Sequence, residues 1–500
     1  MTSWAASAAS TTTRRSSDVT TLPTPAQPTI PPDGRGLADL RQLVLARSKQ
    51  MEEVLRSKSR ILPRIDTELH ERRLAGDRSE IATLVKLFLL GAPVSVEDAA
   101  QALAPVATET LVRTGLAALD GDILRPLARV GAYSGVVVVS DALSGPDLSS
   151  FVTGVSPVAR HVDRVTIRRP VRTALDLGTG PGIQALLAAS HCERVVAIDL
   201  NERAIGYTRF NAELNDVSNI EARVGDWLEP VEGERFDLIV ANPPYIVSPE
   251  TELLYRDGNL LGDAVTQKLL QEVPVHLEEG GFAHVMGNWI HGRDEDWRAP
   301  VESWLDGSGC DALLLKYAGL DLVSYAAHWN VPIAVEGAEP FLEAVDRWLD
   351  YYRREGIEAI TEGLVVLRRR SGGPNWVRAI DVPGRPSRPA GDHVLRLFEA
   401  RDRREELASD DALLAMRFSL VPGLQVSRRA RGSKLADQEA RIELENGIGF
   451  AAPVPPALAE RLASLDDSTG LGDVVGHDHQ TAADMRRLFA LGLVSARQAP

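Results

Sequence analysis

Little in this sequence suits a disulfide scaffold, a membrane span or a surface that grips phosphate along its whole length. Only two cysteines occur in 500 residues, Cys192 and Cys310. A chain of this size builds cores without covalent staples, so neither a disulfide framework nor a zinc ribbon is expected, no bound metal is implied, and a reducing cytoplasm is the default location. Apolar runs fall short of the roughly 20 residues needed to cross a bilayer. Lys and Arg (55) are outnumbered by Asp and Glu (70), for a net charge of −15. That balance excludes a wholly basic nucleic-acid-binding surface, although a local basic face remains compatible with it.

What remains is the composition of an ordinary globular protein, 44% hydrophobic and 25% charged, in a chain long enough for several cores. Residues 1–33 are rich in Ser, Thr, Ala and Pro and lack the apolar stretch of a secretory signal. Pro23, Pro25, Pro28, Pro31 and Pro32 oppose the amphipathic helix of a transit peptide, so a disordered tail is expected.

Residues 34–150 read as a helical domain. Leu37, Leu40, Leu43, Val44 and Leu45 mark a first helical face, Ser79 caps a helix to Leu90, Ser95 caps one to Leu103, and a third is expected from Glu109 to Leu119. Asp120-Gly-Asp122 then signals a turn before the extended Ile123–Pro126, and the set resembles a winged helix-turn-helix. Such modules dock proteins or bind nucleic acid. Arg113 is the sole basic residue of the third helix, which favours docking. Val136–Val139 reads as a buried strand leading into the next domain, and Arg160, Arg164, Arg168, Arg169 and Arg172 as a solvated lead-in strand.

From residue 151 to 370 strands and helices alternate, the pattern of a doubly wound, mostly parallel sheet. Strands are expected at Thr173–Leu177, Arg194–Asp199, Ile220–Val224, Phe236–Ala241, Phe282–Gly287 and Gly363–Leu367, and helices at Ile183–Ser190, Arg203–Asn215, Ala264–Val273 and Phe341–Arg354; Asp311–Trp329 is ambiguous. Prolines 374, 383, 386 and 389 set a boundary near 371, and 371–500 reads as an additional α+β domain without a catalytic motif.

Two motifs carry chemistry. Asp176-Leu-Gly-Thr-Gly-Pro-Gly182 follows a strand and opens a helix, where glycines let backbone amides approach a ligand at the positive helix end. NAD, FAD and S-adenosylmethionine sites all use such a turn, and Asp199, which ends the next strand, could hold a ribose in any of them. Asn242-Pro-Pro-Tyr245 ends the fourth strand. Asn242 can accept a hydrogen bond from a planar NH2 group, the Pro243 carbonyl can accept the second, Pro243 and Pro244 stiffen the turn, and Tyr245 offers a flat face. A delocalised nitrogen polarised in this way can pyramidalise toward a methyl donor.

With Gly225-Asp226-Trp227 after the third strand, the ordered motifs resemble those of class I S-adenosylmethionine-dependent methyltransferases, over about Val171 to Arg370. The resemblance implies a seven-stranded Rossmann-like α/β sheet, an S-adenosyl-L-methionine cofactor and an enzyme. By it, Gly178, Gly180 and Gly182 bracket the methionine and ribose moieties, Asp199 holds the ribose, and Asp226 contacts adenine. Trp227 either stands beside the adenine or simply packs. Asp176, Thr179, Leu200 and Asn242 complete the implied cofactor set.

Within the class, Phe236–Ile246 looks most like the bacterial protein-(glutamine-N5) methyltransferases, which modify a release-factor glutamine. RNA guanine-N2 and nucleic-acid adenine-N6 methyltransferases share the tetrapeptide. The glutamine enzymes have no counterpart of residues 371–500, and Arg256–Asp263 matches their glycine-rich loop only in part. The favoured acceptor is a protein glutamine amide; the alternative is a base of RNA or DNA. A non-catalytic cofactor-binding regulator and a small-molecule amine methyltransferase are weaker readings. Trp289–Trp297, with His291, Arg293, Asp294, Glu295 and Asp296, is expected as a surface loop rather than a substrate contact, and no membrane partner is implied.

Overall fold

The computed structural model describes residues 28–30, 34, 36–56, 63–142, 150–250, 260–335, 337–382, 384–404, 409–414, 416–430, 438–462 and 479–497. Most of the expected N-terminal tail, the first part of Arg256–Asp263 and Pro383 lie outside them.

The N-terminal module comprises α1 (Leu37–Leu55), α2 (Pro63–Leu74), α3 (Glu80–Val85), β1 (Val94–Ser95), α4 (Val96–Leu103), α5 (Thr108–Arg113), β2 (Ala117–Asp120), β3 (Ile123–Pro126), β4 (Ala128–Tyr133) and β5 (Val136–Asp141). Both serine caps form as expected: Ser79 Oγ accepts from the Ala82 N–H and Ser95 Oγ from the Asp98 N–H. Helix α3 widens into a π-helical turn, Lys86–Leu90, and stops at Gly91. The helix expected to run to Leu119 instead ends at Arg113. Gly115 takes a positive φ of 71°, and Ala117–Asp120 turns back through Gly121 to pair with Ile123–Pro126. The strand order is β1-β3-β2.

Two further expectations change here. Val136–Val139 does not lead into the large sheet but forms a separate hairpin, β4 with β5. The arginine-rich stretch is not a lead-in strand: Ser156 caps helix α6 (Pro157–Val165), because His161, Val162 and Val165 share one buried face. Arg168 then folds back to pair with Asp163.

The main sheet contains β6 (Val171–Leu177), β7 (Cys192–Asp199), β8 (Ile220–Val224), β9 (Phe236–Ala241), β10 (Leu277–His291), β11 (Cys310–Leu320), β12 (Ala359–Arg369) and β13 (Val377–Asp381), in the order β13-β11-β12-β10-β9-β6-β7-β8. Helices α7 (Ile183–Ala189) and α8 (Glu202–Leu214) connect β6 to β7 and β7 to β8. Both faces are covered, as parallel sheets require. Ala174, Val195, Ala197, Leu238 and Val240 join one apolar cluster, while their neighbours Leu175, Leu177, Val196, Ile198, Ile239 and Ala241 join the other. Strand β12 runs antiparallel to both β10 and β11.

The sheet therefore has eight strands, not the expected seven. The eighth lies beyond residue 370, because Val377–Asp381 adds in parallel to the edge of β11. Its ladder is continued at both ends by Ala312 N–H to the Trp376 carbonyl and Val382 N–H to the Lys316 carbonyl. The ambiguous stretch 311–329 resolves into β11 and a helix, Leu322–Asn330, capped by Asp321. Trp289 is not in a loop: it is an interior residue of β10, fully buried, and its indole N–H donates to the Trp297 carbonyl at 2.7 Å. Helix Gly391–Asp402 still packs on the sheet through Val394, Leu397 and Phe398. Farther on, Leu413, Phe418, Ile442, Leu458, Met485 and Leu488 belong to a separate small core.

Side chains of α8 and its C-cap fasten the N-terminal module to the sheet, Asn215 by bonding both backbone groups of Val137 and Asn211 by a longer reach. Asn211, fully buried on α8, bonds both backbone groups of Val139 in β5 and also donates to the Pro181 carbonyl of the glycine turn. Asn211→Ala would leave three buried backbone groups unpaired. The expected cost is about 2–4 kcal/mol of unfolding free energy, measured by chemical denaturation.

Candidate active site

Strands β6 and β9 are parallel neighbours, with Leu177 opposite Ala241. The glycine turn and the asparagine turn therefore leave the same edge of the sheet side by side. At Gly178, φ +71°, the two turns come into contact range: a Cβ there would stand 3.7 Å from Pro243 Cα and 3.8 Å from the Asn242 carbonyl. The N–H groups of Gly178 and Thr179 both donate to the Ile198 carbonyl on β7, at 2.9 Å each.

Around this junction lies a cleft of about 1460 Å³. Every expected cofactor residue except Gly182 lines it: Asp176, Gly178, Thr179, Gly180, Asp199, Leu200, Asp226, Trp227 and Asn242, and so do Pro243, Pro244 and Tyr245. Gly182 lies beneath, as the cap of α7 at φ +86°, against Thr208 of α8.

The two interior carboxylates have different tasks. Asp176 is buried, accepting from Thr179 Oγ1 at 2.6 Å and from the Ala185 N–H at 2.8 Å. Through that one oxygen it holds the turn against the first residues of α7, and desolvation pushes its carboxyl up to about 7. Asp199 accepts from the Gly180 N–H at 2.8 Å through one oxygen and from the Asn201 N–H at 2.9 Å through the other. Each oxygen keeps a lone pair for a hydroxyl, so the residue fits a ribose diol. Burial raises its pKa as well.

Gly225 N–H donates to the Asp199 carbonyl at 3.1 Å, joining the third motif to the same rim. Trp227 adopts φ +47°, a costly region for a residue with a Cβ, and is half-buried against one apolar cluster. Packing and cleft lining are thus both true of it. Asp226 and Leu200 are exposed.

At the opposite end, the Asn242 side chain has no hydrogen-bond partner among the described residues and remains available to an acceptor. Tyr245 is only 6% exposed, its ring largely enclosed by the main apolar cluster. The following backbone is clamped: Val247 N–H donates to Tyr325 Oη at 3.0 Å and Tyr352 Oη donates to the Val247 carbonyl at 3.0 Å.

The structure brings in residues that motif reading missed. Glu362 of β12 and Arg385, which form an ion pair, line the cleft with His328 and Trp329. A carboxylate inside the apolar run of β12 was the available sign for Glu362; Arg385, from the Pro-rich stretch beyond the sheet, had none. Arg129 of β4, Gln184 of α7 and the Phe151–Ala159 segment form another wall, roofed by Leu55, Leu89 and Leu90 of the N-terminal module. The Trp289–Trp297 stretch does not reach the cleft; His291 Nε2 is instead 3.0 Å from Thr361 Oγ1. Among the described residues, no cluster of His, Cys, Asp and Glu could hold a metal ion, and no helix is long and apolar enough to cross a membrane.

Residues 161–292 match the family model described as Methyltransferase small domain, and residues 62–127 match a domain of unknown function. The release factor glutamine methyltransferase of Xylella fastidiosa is 33% identical over 180 residues, 33% of this chain and 63% of that protein. A putative protein N5-glutamine methyltransferase of Methanocaldococcus jannaschii is 30% identical over 131 residues, 25% of this chain and 66% of that protein. The ribosomal protein uL3 glutamine methyltransferase of Bradyrhizobium diazoefficiens is 29% identical over 200 residues, 37% of this chain and 62% of that protein. The chain thus spans less than two thirds of the length of each.

The raised Asp176 carboxyl carries a pH signature. Its contribution to stability is complete below 3.8 and is lost as pH rises through about 7. Wild-type stability minus that of Asp176→Asn should therefore fall across this window, by an amount on the order of a few kcal/mol. His161 and His284, held near 3 by burial, act in the opposite sense but cancel in the difference. Urea unfolding of both proteins at several pH values checks it.

Proposed function

We propose that this chain, a relative of the protein-(glutamine-N5) methyltransferases with a methyltransferase small domain at residues 161–292, methylates the side-chain amide nitrogen of a protein glutamine. The observation that carries the reading is the contact between the Gly178 turn and the Asn242–Pro243 turn. Donor and acceptor would then meet on one rim, which in-line transfer requires.

S-adenosylmethionine, when bound, supplies an electrophilic methyl group on a sulfonium. Asp199 accepts from the ribose hydroxyls, and Asp226 and Trp227 border the adenine. The peptide groups from Gly178 to Gly180 pass close to the reacting end. Asn242 accepts one amide hydrogen of the glutamine and the Pro243 carbonyl the other, which drains conjugation from the nitrogen and aims its lone pair. Trp329, His328 and the Glu362–Arg385 pair form the far wall, where an amide carbonyl or its peptide backbone finds donors and acceptors. The proton released after transfer leaves to water, so no general base is required.

The names of the relatives, each a glutamine methyltransferase, support the protein acceptor over a base. Incubation with tritiated S-adenosylmethionine and cell extract should give label that is removed by protease and survives nuclease; nuclease-sensitive label would instead assign the site to an exocyclic base amine.

Two variants separate the roles. Asn242→Ala should abolish transfer while leaving S-adenosylmethionine affinity within a few-fold, because the clamp holds the acceptor. Asp199→Ala should weaken the cofactor by about 1–3 kcal/mol in calorimetry, since the ribose hydroxyls lose their acceptor.

A further inference from the structure

Among the described residues, the cleft contains a cation with no counterion. Arg129 projects from β4, a hairpin outside the main sheet, and is a lining residue. It makes no ion pair or hydrogen bond among the described residues, and burial alone pulls its pKa below the ordinary guanidinium value. The other lining guanidinium, Arg385, is already paired with Glu362. A partly desolvated, unpaired guanidinium is costly unless a ligand supplies the opposite charge.

A second, independent irregularity lies on the same cleft. Gln184, on the first turn of α7, is 5% exposed; its Nε2 donates to the Ala159 carbonyl at 2.9 Å, which leaves Oε1 buried without a partner. An orphaned acceptor of this kind calls for a donor. The cleft therefore offers one unmet demand for an anion and one for a hydrogen-bond donor, the two ends of an α-amino acid.

The other walls are already assigned. Asp199, Asp226 and Trp227 occupy the nucleoside side, and Asn242, Glu362 and Trp329 the acceptor side. The remaining wall carries Arg129, Gln184 and Thr153. Arg129 is held in place through its strand partner: it stands opposite Ser140, whose hydroxyl lies where a Cβ on Gly154 would be, 2.7 Å away. The next residue, Asp141, accepts from the Val152 N–H at 2.8 Å. The hairpin and the Phe151–Ala159 wall thus form one piece.

We infer that Arg129 and Gln184 bind the amino-acid end of the methyl donor, the guanidinium taking the α-carboxylate and the Gln184 carbonyl the α-ammonium. The inference rests on the reading of the cleft as an S-adenosylmethionine site. It gives the N-terminal module a direct part in donor binding, as the source of the residue that selects a zwitterionic donor over a bare nucleoside thioether.

The test uses the full chain and calorimetry with three ligands: S-adenosylmethionine, S-adenosylhomocysteine and 5′-methylthioadenosine. The last two are both uncharged at sulfur and differ in the amino-acid moiety. Arg129→Met should weaken S-adenosylhomocysteine by about 10- to 100-fold, the range for a charge-assisted hydrogen bond, and leave 5′-methylthioadenosine within two-fold. Arg129→Lys should recover part of the loss, and Gln184→Leu should show the same selectivity to a smaller degree. Retained 5′-methylthioadenosine binding also shows that the variants fold. Equal losses for both thioethers, or unchanged S-adenosylhomocysteine affinity accompanied by a raised KM for the acceptor, would overturn the inference while leaving the methyltransferase reading intact. No S-adenosylmethionine binding by the wild-type chain would overturn both.

Discussion

The register between Val171–Leu177 and Phe236–Ala241 is the constraint on which the cleft depends. Parallel pairing sets Leu177 against Ala241, so Gly178 and Asn242 emerge from adjacent strands at the same height. A slip of one residue would turn Leu175 and Leu177 from one apolar cluster toward the other, at the cost of both cores. The geometry of the reacting groups is therefore secured by hydrophobic burial some distance from them. Gly178 suits this arrangement through its positive φ, which a residue with a side chain rarely adopts, while the neighbouring turn passes at ordinary van der Waals distance from it.

How much could be read from sequence followed from the kind of signal each part emits. Alternating burial along β6, β7 and β9 and the glycine and asparagine turns are local patterns, and they located the sheet and most of the cleft rim. Helix caps such as Ser79 and Ser95 are equally local. Where tertiary contacts decide, the expectations shifted. Ala117–Asp120 carries helix-compatible residues but becomes a strand because Ile123–Pro126 folds back on it. Val377–Asp381 lies past a proline-rich break yet completes the sheet edge. Trp289 looked like part of a polar loop, but its indole fits over the bare backbone of Gly363, where any side chain would collide with it. Glu362, Arg385 and Arg129 reach the cleft from three separate parts of the chain, and no spacing rule connects them.

Electrostatically the cleft is divided. The side that carries Asp199 and Asp226 is carboxylate-rich, with Asp199 engaged by backbone donors that keep a buried charge tolerable. Another part of its lining holds a paired carboxylate and guanidinium, Glu362 with Arg385, which presents donors and acceptors without net charge. A neutral, planar amide is well matched to that wall, whereas a phosphate-bearing polymer would find little there to neutralise it. The overall acidity of the chain has the same sense.

Helix α8 has a consequence of its own. Ala204, Tyr207, Phe210 and Leu214 belong to the same apolar cluster as Leu40, Val85, Phe88 and Leu103 of the upstream module. The two parts are therefore not beads on a string but halves of one interior. A recombinant fragment trimmed to the alternating strands and helices would carry a greasy flank on its outer surface, prone to self-association, and would lose the roof and one wall of its own pocket. Family boundaries drawn at residue 161 divide the sequence at a point where the folded protein is continuous.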